Sequence, residues 1–236
     1  VGIILLRSAR DGKPAGGDKG AMLWVDGGGA DSLLEPTGAP VPEVRQALGS
    51  GWDVAGVDVH RPGARWNRRV VEPKAKAEDP WQRDPILTYG YNEPLFVQRV
   101  HDVMTVAAWL RDASPVKAKR LRLLGGRGGG HWAAVASAAL GDRIERAAID
   151  LEGFGFSALV SPWASDFLPG AEKYGDVGGA LMLAAPRPLW IAGVNGGARE
   201  MLRAAYAAAG APEALTAENG PDARGSAGAV SWLLGE

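Results

Sequence analysis

The segment RLRLLGGRGGGHWAAVASAAL, Arg120 to Leu140, limits what this chain can fold into more than any other stretch. An apolar strand, Arg120–Leu124, runs into five glycines interrupted only by Arg127, and then into a helix of small residues, Gly130–Leu140. Glycines gather where a turn is tight and its backbone passes close to its neighbours. A strand, a sharp turn and a helix in direct succession belong to sheets whose strands run parallel.

The rest of the chain repeats that alternation. Strands are predicted at Val1–Arg7, Ala21–Val25, Trp52–Asp58, Ile144–Asp150 and Pro188–Val194. Helices are predicted at Pro42–Leu48 (ended by Gly49), Asn92–Asp112 with Pro94 in its first turn, Gly197–Ala209 and Ala227–Leu234. The expected architecture is α/β: a three-layer α-β-α sandwich around a mostly parallel sheet, with ligands at the carboxyl ends of its strands. The 236 residues, 46% of them hydrophobic, suit one large domain spanning 1–236, which can be part of a longer chain. The opening VGIILLR is too short and too soon charged for a signal peptide or a membrane span. A formal net charge of −1 points away from nucleic acid and from anionic membranes as partners. There is no cysteine, which excludes disulfides and thiolate metal sites.

One stretch breaks the pattern. Val59–Tyr91 has no periodicity, seven basic residues and two tryptophans, Trp66 and Trp81. A loop this long inside a compact domain reads as a surface excursion or as a lid.

The glycine run resembles the nucleophile elbow of α/β-hydrolases, G-x-S-x-G. Gly125-Gly126-Arg127-Gly128-Gly129-Gly130 is similar to the GGSQGG elbow of acetyl xylan esterases and dienelactone-hydrolase relatives. Other stretches resemble the same proteins: DGGGADSL in the place of an oxyanion loop, GWDVAGVDVHRPGA, the helix TYGYNEPLFVQRVHDVMTVAAWL, and FLPGAEKYGDVGGALMLAAPRPLWIAG before the acid position. The resemblance implies an α/β-hydrolase fold of carboxylic-ester-hydrolase ancestry.

It also implies a lost reaction. Arg127 stands where the serine belongs, or Gly128 in the next register, and neither has a hydroxyl. The acid position reads Asn195-Gly196-Gly197, and the base position, Asn219–Ser226, has no histidine. The histidines are His60, His101 and His131. Ser32, Ser137, Ser157, Ser161 and Ser165 sit in no elbow context. A triad acts as a unit, so little or no serine-route hydrolysis is expected.

Other uses of the elbow stay open. Arg127 at a helix N-terminus, with backbone N–H groups of Gly128 and of Gly27, Gly28 and Gly29, is the equipment of an anion site. Its ligand would be a small carboxylate or a sugar, with His131 pointing into the cleft. Alternatively His131 is a partly buried polar side chain, and Arg127 pairs with Asp58, Asp150 or Glu152. Asp26 is expected to shape its turn. Asp58, His60, Asp150 and Glu152 form a conceivable metal cluster, although no metal or cofactor is expected. A rival reading is a dinucleotide fingerprint over Gly128, Gly130 and Ala133, with Asp150 as the ribose-binding acid.

Overall fold

A computed structural model describes residues 1–10, 13–14, 19–60, 93–159, 161, 164–218 and 226–235. The segment 61–92, which holds nearly all of the aperiodic stretch, lies outside the described residues, as does most of the base-histidine position.

Seven strands form one sheet. They are β1 (Gly2–Leu6), β4 (Gly20–Asp26), β5 (Trp52–Asp58), β6 (Leu121–Gly126), β7 (Arg146–Asp150), β8 (Leu189–Ala192) and β9 (Leu215–Ala217), in the order β1-β5-β4-β6-β7-β8-β9. β1 pairs antiparallel with β5, and every other pairing is parallel. Between β1 and β4 a separate ribbon pairs β2 (Ala9–Arg10) with β3 (Lys13–Pro14). The helices are α1 (Pro42–Gly49), α2 (Leu95–Asp112), α3 (Gly130–Leu140), α4 (Asp176–Met182), α5 (Gly196–Ala208) and α6 (Ser226–Leu234).

Strand side chains alternate between the two faces, and here both faces are buried. From β4, Ala21, Leu23 and Val25 enter the larger core, while Met22 and Trp24 enter the smaller one. On β8, Leu189 and Ile191 go one way, Trp190 and Ala192 the other. The larger core lies under α2, α3, α4 and α5; the smaller lies under α1 and α6. This is the expected α-β-α sandwich around a mostly parallel sheet.

The differences from the sequence reading are local. β6 continues through Gly125 and Gly126, because both pair in register with β4. The helix expected from Asn92 starts at Leu95, with Pro94 held extended (ψ 146°) as its cap rather than inside the first turn. β9 was not anticipated: three half-buried residues, LTA, carry no pattern to read. The helix expected from Gly197 begins one residue earlier, and the Asn195 side chain caps it by accepting the Ala198 N–H at 2.8 Å.

The amino ends of β6 and β7 carry an ionic anchor. Arg122 is buried, lies 4.0 Å above the Trp52 ring, and donates to the Leu233 carbonyl near the end of α6. Glu145 accepts from Arg120 at 2.6 Å and from Arg122 at 3.2 Å. Burial alone would raise the Glu145 carboxyl; the hydrogen bonds from Arg120 and Arg122 outweigh it and lower the group from 4.5 to about 2. A carboxylate whose folded value is depressed adds stability above its ordinary value and loses it as pH falls through the folded one. The stability gap between wild type and Glu145→Gln should therefore be widest above about pH 5 and close toward about pH 2. Denaturant melts at several pH values check this; a gap independent of pH would contradict it.

Candidate active-site elbow

β6 is the fourth of the seven strands, so the turn after it opens at the middle of the sheet. Arg127 occupies that turn with φ +45°, a left-handed conformation that side chains other than glycine adopt at a cost of roughly 1–2 kcal/mol. Gly128 follows at φ +82°. The turn is pressed against its neighbours. A β-carbon at Gly129 would meet the Val25 carbonyl at 2.6 Å, and one at Gly130 would collide with the Asp150 carbonyl. The glycines are thus there to let α3 begin directly against β4 and β7.

The Arg127 guanidinium has found an internal partner. Its Nε donates to Asp26 Oδ2 at 2.7 Å and its Nη2 to the Ser32 carbonyl at 3.2 Å. The pair expected with Asp58, Asp150 or Glu152 is instead made with Asp26, which also shapes its turn as anticipated: Oδ1 accepts the Gly28 N–H at 2.7 Å. Asp58 faces the other way and accepts the Ala30 N–H at 2.8 Å, with Gly29 (φ +81°) packed against it. The Arg127 side chain is 50% exposed and Asp26 only 5%, so the arginine leans out of the sheet over a buried acid.

The backbone donors expected to be open are engaged. Gly27 N–H donates to the Arg127 carbonyl at 2.9 Å, and Gly128 N–H to Glu152 Oε2 at 2.6 Å. Glu152 is itself left-handed, φ +50°. Its turn is clamped from two sides: its N–H donates to Asp150 Oδ1 at 2.9 Å, and the Gly153 N–H to the Gly193 carbonyl at 2.9 Å. A carboxylate from the end of β7 therefore sits on the amide that follows the elbow residue.

Beside the elbow lies a cavity of about 260 Å³. Trp24, Leu124 and Ala229 form its apolar wall; Arg127, Asp150, Glu152 and Ser226 form its polar one. Gly27, Gly28 and Gly29 belong to the neighbouring β4 loop and do not line it.

His131 does not join this site. Its ring stacks on Phe154 (centroids 4.0 Å apart, planes at 14°) within the larger core. Its Nε2 lies 3.3 Å from Asp166 Oδ1, the oxygen that also takes Arg99 Nη1 at 2.6 Å and Trp132 Nε1 at 2.7 Å. Burial would raise the Asp166 carboxyl, but His131, Arg99 and Trp132 hold it well below the usual carboxylate range. Sequence reading missed this cluster, because Arg99, His131 and Asp166 share no spacing or motif. Ser165 donates to Asp166 at 3.2 Å, Ser32 to the Gly29 carbonyl at 2.7 Å, and Ser137 is fully buried against Arg187.

The proposed metal cluster does not assemble. Asp58 and Asp150 end strands three places apart, roughly 14 Å at the usual strand spacing. Among the described residues no group of three His, Asp or Glu could hold an ion. The dinucleotide reading is not favoured either. Asp150 turns back to hold its own chain at Glu152, and Gly128–Gly130 serve the packing of the elbow.

No family model matches the sequence, and no curated protein matches it at a significant level. Solved structures do. A candidate acetyl xylan esterase from Bacteroides fragilis superposes with a TM-score of 0.67 at 16% identity, over 93% of this chain and 63% of that one. A glucuronoyl esterase of carbohydrate esterase family 15 from Teredinibacter turnerae gives 0.56 at 15% identity, over 92% of this chain and 65% of that one. A glucuronoyl esterase from Solibacter usitatus gives 0.55 at 18%, over 88% of this chain and 65% of that one. The likeness is one of fold, and this chain spans less than two thirds of the length of these proteins.

The left-handed elbow has a consequence for stability. Arg127→Gly and Arg127→Ala both lose the ion pair, but only alanine keeps the backbone strain. The glycine variant should be the more stable of the two by about 1 kcal/mol in urea denaturation. Equal stabilities would show that the turn is not strained.

Proposed function

We propose that this chain is an esterase-derived α/β-hydrolase-type domain that no longer cleaves esters by a serine route and instead holds a small carbohydrate or carboxylate ligand beside Arg127. The observation that carries this reading is the substitution of the elbow itself. The conformation that presents a nucleophile is intact, left-handed φ included, while the residue presented is an arginine ion-paired to Asp26. Arginine is protonated at any physiological pH and cannot attack a carbonyl.

The remaining triad positions agree. Asn195, at the acid position, is committed to capping α5. At the base position, Asn219–Ser226, the sequence has no histidine. Without nucleophile and base the expected loss is on the order of 10⁶-fold, the scale measured when a serine-protease triad is dismantled. What remains is a cleft at the carboxyl end of the sheet, with hydrogen-bonding groups on one wall and apolar groups on the other. That combination suits binding of a polar small molecule. The similarity in fold to esterases acting on carbohydrates supports a carbohydrate-type ligand.

Two measurements test this. p-Nitrophenyl acetate should be turned over at the buffer rate, and Arg127→Ser should not restore hydrolysis, because the base stays missing. A fluorophosphonate that labels a serine stoichiometrically in the wild-type chain would overturn the first half. Titration with xylose, glucose, glucuronate and acetate should give saturable binding of at least one of them, lost in Arg127→Ala. No binding of any, or binding unaffected by Arg127→Ala, would overturn the second.

A further inference from the structure

The charges around the cavity narrow the ligand class, and this deepening rests on the binding reading above. Among the described residues Arg127 is the one cation lining the cavity, and Asp26 pairs with it at 2.7 Å. Two further carboxylates, Asp150 and Glu152, line the same space. Among the described residues, then, two carboxylates line the cavity beside an arginine already paired with a third.

We infer that the cavity takes uncharged hydroxylated ligands of monosaccharide size in preference to their acidic counterparts, and that Glu152 sets the preference. A carboxylate has two oxygens and about four acceptor directions. Hydrogen bonding accounts for one direction on Glu152 Oε2, from Gly128, and one on Asp150 Oδ1, from Glu152. The others accept from ligand hydroxyls, which are donors as well as acceptors. An acidic ligand brings only acceptors at its carboxylate. To reach the Gly128 amide it must displace Glu152 and then sit beside it, a like-charge contact. The fold holds Glu152 in place from below, through the Asp150 and Gly193 clamps on its turn, while its side chain is exposed at the cavity. Size agrees with the ligand class: about 260 Å³ lies just under the roughly 300–1,000 Å³ usual for small-molecule sites, so one sugar ring fits and a polymer does not. The apolar wall at Trp24 and Leu124 suits the C–H face of such a ring.

Glucose and glucuronate test this cleanly, since they share a ring and differ only in a hydroxymethyl or a carboxylate at one carbon. NMR-detected titration of the full chain at low salt should give glucose the lower Kd, by at least about threefold, the scale of exposed charge pairs. Glu152→Gln keeps the volume and removes the charge. It should shift the ratio of the two dissociation constants toward glucuronate by at least about threefold. Glu152→Gly, which suits the left-handed backbone, should do the same and guards against a folding defect. Glucuronate binding wild type more tightly than glucose, or a ratio unchanged in both variants, would overturn the inference. If both sugars bind wild type equally and Arg127→Ala abolishes both, the selection by Glu152 falls while the binding reading stands. If neither sugar binds any variant, the inference falls, and the binding reading falls with it when xylose and acetate also fail to bind.

Discussion

The close seating of the elbow on β4 is the constraint on which the rest of the site depends. Gly129 lies against the Val25 carbonyl with no room for a β-carbon, and Gly27 hydrogen-bonds to the Arg127 carbonyl at 2.9 Å. That contact fixes where β6 stops and where α3 starts. It also leaves residue 127 only one way to face, out of the sheet in a left-handed turn. A serine in that position would be a nucleophile on display. An arginine is a cation held above a half-closed cleft, and a buried acid one strand away becomes its natural counterpart. The Asp26–Arg127 pair is thus a product of the turn, not its cause.

The same geometry explains the carboxylate on the next amide. An elbow leaves the N–H of its following residue pointing at open space, where a catalytic site would hold a developing oxyanion. An unoccupied donor there is polarised and costly to leave dry. Here the Glu152 carboxylate, from the neighbouring strand end, accepts that N–H at 2.6 Å, so the donor is satisfied within the chain itself.

Much of the fold was legible in the sequence, because it is written in period and punctuation. Apolar runs of strand length and the glycine burst at Gly125–Gly130 place the sheet, the elbow and the central position of β6. The glycines narrowed the elbow residue to Arg127 or Gly128, and the backbone puts Arg127 in the turn. The partners of the site were not legible. Asp26 and Arg127 are 101 residues apart, Gly128 and Glu152 24. Which of several acids meets the arginine depends on side-chain directions at the strand ends, and sequence spacing does not carry these. The place of His131 stayed open between cleft and interior for a related reason. In the first turn of a helix its side chain can face either layer, and the rings of Phe96 and Phe154 that receive it come from distant segments.

β6 does two jobs at its two ends. At its start Arg122 is stacked on Trp52, paired with Glu145 and bonded to the end of α6; at its far end it delivers residue 127. Five residues of extended chain, roughly 16 Å, separate the anchor from the elbow. The sheet's grip on this strand therefore lies at the opposite end from the elbow. Side chains at the elbow can change while the strand keeps its footing, because what holds the strand in the sheet and what the strand presents are built from different residues.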